Sequence, residues 1–197
     1  DIGSQNTDKT EPENKPDDRA VTELETRAAN FDDEAIVNEL RGITAKYENE
    51  YLPVIAGLVE RSSEKIRSVL SSDDIEAAIA GIYTAEHEKE VREAIKPVIA
   101  SHIEEVNKSA AKHLNASEIN TAERLTDEMS ETYIKGSIKA ERGQIRDLLV
   151  TGSPEDVQKR IDEWNENKHR AGKISKYQAR MVSNKAAYRF PENQEAV

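Results

Sequence analysis

Residues 91–114, VREAIKPVIASHIEEVNKSAAKHL, decide the fold. Val91, Ile95, Val98, His102, Val106, Ala110 and Leu114 recur every three or four positions, with charged residues between them. That spacing places the apolar side chains along one stripe of a helix, whereas a half-buried strand would alternate every second residue. The stripe extends backwards through Ile75, Ile79 and Ile82, with Glu86 as its one polar position, so the pattern predicts one helix over 73–114 capped by Ser72 or Asp73. Pro97 lacks an N–H and is expected to interrupt it.

The same period runs on both sides of this segment. Ile36, Leu40, Ile43, Tyr47, Tyr51, Ile55, Leu58, Ile66, Val69 and Leu70 trace a helix over 33–70, entered through Phe31 and an Asp32 cap, and Pro53 is expected to kink it. Such a helix would be about 57 Å long at 1.5 Å per residue. A link of two or three residues would make the two helices antiparallel neighbours. Downstream, Asn115 and Glu118 suggest a capping box for a third helix carrying Ile119, Leu125, Met129, Tyr133 and Gly136. A break is expected at Gly143, before Ile145, Leu148 and Leu149. Gly152, Ser153, Pro154, Glu155 and Asp156 end one helix and start the next, whose apolar face is Val157, Ile161 and Trp164. A polar loop, 165–173, leads to a final helix with Ile174, Tyr177, Met181 and Val182. Pro53-Val54-Ile55-Ala56 recurs as Pro97-Val98-Ile99-Ala100, which fits either a duplicated helix or two helices with similar needs. The fold class is therefore all-α: a long antiparallel helical hairpin or stalk with shorter C-terminal helices. Residues 1–17 carry a single aliphatic side chain and are expected to be a disordered tail or linker. The stalk or bundle occupies 18–150, starting with a short helix over 18–30, and a C-terminal segment occupies 151–197.

Composition narrows the functional classes. Among 197 residues, 34% are charged, with 8 Gly, 6 Pro and no Cys, which favours helix and excludes disulfides and thiolate metal sites. No run approaches the roughly 18 apolar residues of a membrane span, so no membrane partner is expected. The chain begins on Asp1 without an initiator Met or a secretory signal, as expected of a processed product or an excised piece. Neither a P-loop, GxGxxG, GxSxG nor HExxH occurs. Only Glu166-x-x-His169 has the spacing of a di-iron ligand pair, and it lies in a polar, basic stretch. His87, among Glu86, Glu88 and Glu90, reads as a solvated helix face, and His102 as a satisfied histidine at the edge of the core. Gly136 and Gly143 share a helix face, fit for close approach or a kink. Trp164 reads as a core anchor. Neither a catalytic constellation, a metal site nor a cofactor is expected.

Charge is unevenly placed. Net charge is −11, yet 168–190 holds seven bases and no acid: Lys168, Arg170, Lys173, Lys176, Arg180, Lys185 and Arg189. The remainder carries 21 bases against 39 acids. Such asymmetry marks an interaction segment. Its partner is either the acidic body, an acidic protein, or nucleic acid through its phosphates.

The C-terminal third resembles the phage head morphogenesis family, minor head proteins that act beside the portal and are sometimes fused to portal proteins. The resemblance rests on the order of parts: a stalk, Glu131-Thr-Tyr-Ile-Lys-Gly136, Ile145-Arg-Asp-Leu-Leu149, Pro154-Glu-Asp-Val-Gln-Lys-Arg-Ile161 with Trp164, and the closing Lys176-Tyr-Gln-Ala-Arg-Met-Val-Ser-Asn-Lys-Ala-Ala-Tyr188. The family's Arg-Thr-Glu signature would fall on Ser183-Asn184-Lys185, replacing its acid by a base. The resemblance implies a non-enzymatic virion component, assembled in the host cytoplasm, that meets portal or capsid protein and is compatible with self-association. Two other classes stay open: a helical interaction module such as a secreted or surface adhesin or a scaffold, and a DNA-binding accessory protein using the basic C-terminal helix.

Overall fold

The computed structural model describes residues 34–114 and 122–192. They form six α-helices and a 3-10 turn, with no strand among the described residues. These are α1 (Glu34–Val69), α2 (Ile75–Ala80), α3 (Ala85–Leu114), α4 (Ala122–Thr151), α5 (Pro154–Asn165), the turn Glu166–Lys168, and α6 (His169–Glu192). The fold is all-α, as the periodicity requires. The expected tail over 1–17, the helix over 18–30, the Asp32 cap and the Asn115 capping box lie outside the described residues.

Cross-helix contacts give the directions. Glu39 meets His113, Lys46 meets Glu105 and Lys65 meets Glu90, so α1 and α3 run antiparallel. Arg92 meets Glu131 and Lys96 meets Asp127, so α3 and α4 are antiparallel. Thr44 meets Ser183 and Glu48 meets Arg180, which sets α6 antiparallel to α1. Four long helices therefore alternate up and down, as in an antiparallel four-helix bundle. α6 packs most extensively on α1 and also reaches α3 across the bundle. It lies along the body of the bundle. Its buried residues, such as Ala179 and Val182, join those of α1, α3, α4 and α5 in one apolar core.

Several local expectations change. Pro53 and Pro97 sit inside uninterrupted helices. Both are exposed, as are Asn49 and Glu93 four residues earlier, so the carbonyls that lose their N–H partner face water. Gly143 likewise lies within an unbroken α4, and a Cβ added at Gly136 or Gly143 would meet nothing within 4 Å. Neither glycine serves close helix approach. The helix expected over 73–114 is two helices. Asp74 caps α2, its carboxylate accepting from Ala77 N–H at 2.9 Å, and a turn over 81–84 precedes α3, where Thr84 Oγ1 accepts from His87 N–H at 3.4 Å. Glu86, the polar position in the stripe, falls where α3 begins, so the stripe changes helix there. Ser153 and Asp156 make the capping box of α5, with Pro154 in its first turn. The loop expected over 165–173 is a single 3-10 turn followed by helix from His169. Lys168, with φ 56°, adopts the left-handed conformation that redirects the chain there. Among the described residues, no helix is long and apolar enough to cross a membrane.

Candidate functional site

The seven basic residues do not form one surface. Arg180 reaches Glu48 at 3.8 Å and Lys185 reaches Glu128 at 3.3 Å, both on the bundle body. Arg170 turns inward. Its guanidinium stacks 3.7 Å over the Trp164 ring, donates to Gln144 Oε1 at 2.7 Å and lies 3.7 Å from Glu141. Lys168, Lys173 and Lys176 are exposed, as is Tyr177, which keeps 49% of its surface. Arg189 lies in the last turns of α6, beyond the described side chains.

Glu141 is the buried acid of this site. Its carboxylate accepts from Tyr83 O–H at 3.1 Å, and burial raises its pKa while Arg170 pulls it back. Burial in turn lowers the pKa of Arg170, against the opposing pull of Glu141. The cluster joins the α2–α3 turn, α4, α5 and α6. Periodicity offered a signal for it: Ile134, Ile138, Glu141 and Ile145 share the inward stripe of α4, so a carboxylate occupies a core position. A buried carboxylate needs a partner, and Arg170 is the basic side chain that reaches it.

A second polar cluster sits inside the bundle at mid-length. Tyr51 O–H lies 3.3 Å from His102 Nδ1, His102 Nε2 lies 2.9 Å from Ser183 Oγ, and Ser183 Oγ lies 2.7 Å from Thr44 Oγ1. Thr44 donates to the Leu40 carbonyl at 2.8 Å. That last bond fixes the direction of the chain. Thr44 has used its proton, so Ser183 donates to Thr44 and accepts from His102 Nε2–H, which leaves Nδ1 to accept from Tyr51. The ring of Tyr47 stacks on His102 with centroids 4.1 Å apart. His102 is fully buried, not at the core's edge, and burial pushes its pKa down to about 3.

Ser183 and His102 have the separation of a nucleophile and its base, but the protons point the wrong way. A base must accept from the serine, whereas here Nε2 carries the proton and the serine donates elsewhere. Tyr51, His102 and Ser183 are also sealed, each at most 1% exposed. The arrangement fixes helices against one another and does not present a reactive atom.

His87 corrects another expectation. It is buried, not solvated, with Tyr83 edge-on to its ring and Lys65 Nζ 3.5 Å from Nδ1. Burial, followed by Lys65, lowers its pKa. Trp164 is buried in the core as expected. Glu166 and His169 join no metal-binding group, and no group of three or more His, Asp or Glu suited to a metal ion occurs among the described residues.

Fold and site together define an all-α bundle in which the buried Glu141, His87 and His102 each meet a partner from another helix. No protein-family model matches the chain, and neither a curated protein nor a solved structure matches it.

Proposed function

We propose that the protein is a non-catalytic structural or assembly component of a phage head, associated with the portal region. The observation that carries this reading is the order and form of the C-terminal parts: the 30-residue α4, the short capped α5 with Trp164, then the basic α6. They follow the sequence in which the resemblance to minor head proteins lays them out. The shared apolar core of α1, α3 and α4 supports a firm body suited to an assembly. The outward lysines of α6 supply a surface for an acidic face of portal or capsid protein. Expression of a tagged chain during phage infection, followed by gradient fractionation, tests the proposal. Co-sedimentation with portal-containing particles is expected; recovery only in light fractions contradicts it.

The exposure of Lys168, Lys173, Lys176 and Tyr177 motivates a second reading, contact with nucleic-acid phosphates. It requires a DNA mobility shift at low salt that Lys173→Gln and Lys176→Gln weaken together. No shift at low salt removes that reading and leaves a protein partner.

A further inference from the structure

The inward side of α6 differs in kind from those of α1 and α3. α3 buries Ile95, Ile99, Ile103 and Val106, whereas α6 buries Ala171, Ser175, Ala179, Val182, Ser183 and Ala186. Small side chains let α6 lie close to its neighbours but remove less apolar surface from water than the isoleucines of α3, and the larger Ile174 and Met181 of α6 are only partly buried. Among the polar atoms of α6, Arg170 Nε and Gln178 Nε2 are buried without a hydrogen-bond partner among the described residues. Each disfavours the docked position, because water would satisfy it once the helix left. Opposing this are inward bonds at two levels, Ser183 with His102 and Thr44, and Arg170 with Glu141 and Gln144. The helix joins α5 through one short turn in which Lys168 already holds a left-handed backbone.

We propose that α6 is a displaceable closing helix: it leaves the bundle as a unit while α1, α3 and α4 stay packed, uncovering a groove floored by Thr44 and His102. Regions with few large buried apolar side chains open at lower free energy than the core. α6 combines that property with buried donors that the docked state leaves unsatisfied. The device is independent of the phage-head reading, since it follows from packing alone.

Hydrogen exchange of the intact chain at neutral pH, read by mass spectrometry, tests it. Amides of 171–187 are expected to exchange at least about tenfold faster than those of 95–106, through opening below the global limit. Ser183→Ala removes the bonds to His102 and Thr44 and should speed exchange in α6 by about tenfold, leaving 95–106 unchanged. Gln178→Leu removes an unsatisfied amide and should slow it, which keeps the test decisive if the serine variant fails to fold. Equal protection of α6 and α3, a uniform rise in every helix with Ser183→Ala, or no slowing with Gln178→Leu would overturn the proposal.

Discussion

α3 and α6 meet inside the same bundle and are held there by different forces. α3 presents Ile95, Ile99 and Ile103, all fully buried, and its docking is set by apolar burial. α6 presents mainly alanines and serines, with Val182 buried and Ile174 and Met181 partly buried, and its docking leans more on a directed run of hydrogen bonds and on one buried ion pair. Burial of aliphatic groups tolerates small shifts, because it has no direction. A hydrogen-bond chain ending on a backbone carbonyl does not, because a displaced member leaves a buried donor or acceptor unpaired. The first arrangement supplies most of the stability, and the second selects where the last helix sits.

This contrast can be broken in steps. Ile103→Ala should have the largest effect, about 4 kcal/mol by chemical denaturation, because it empties a fully buried position of α3. A loss below about 1 kcal/mol would mean that α3 is not the apolar anchor. Arg170→Ala should follow at about 3 kcal/mol, since it strands the Glu141 carboxylate in the core. Pairing Arg170→Met with Glu141→Leu should recover most of that loss, because neither charge then remains buried.

Acid comes next. His102 takes a proton near 6.5 when unfolded and near 3 when folded, so between those values the unfolded chain binds more protons. Stability therefore falls as pH falls through that window, by about 1.4 kcal/mol per unit. His87, also depressed by burial, adds to this trend. Glu39 and Glu90, whose pKa values are lowered by bonds to His113 and Lys65, add to it below their unfolded value of 4.5. Glu141, raised by burial, works in the opposite sense above 4.5. His102→Leu should flatten the profile between pH 6 and 4, as thermal melts would record. The smallest effect belongs to Arg180→Ala, within about 0.5 kcal/mol, because its pair with Glu48 lies at the half-exposed rim. A larger loss there would show that rim charges, not the inward bonds, seat α6.

The sequence was legible where one periodicity ruled. The stripes Ile36–Leu70 and Val91–Leu114 correspond to α1 and α3, and Ser153-Pro154 started α5 where its capping chemistry placed it. Proline and glycine misled, because their cost depends on which side of the helix they occupy. Pro53 and Pro97 face water, so the helices continue through them. The polar interior was partly legible. Glu141 and His102 stood on apolar stripes, which marks a buried polar group, but periodicity does not name its partner. That partner comes from another helix: Arg170 for Glu141, and Ser183 for His102. Lys173, Lys176 and Arg170 look alike in sequence, yet only Arg170 faces a buried acid.

The most direct test of this account is the imidazole 15N spectrum of His102, followed from pH 8 to 4.5. A neutral ring protonated at Nε2, with no titration in that range, is the expected result. A ring that titrates near 6.5, or carries its proton on Nδ1, would contradict the hydrogen-bond chain that seats the closing helix.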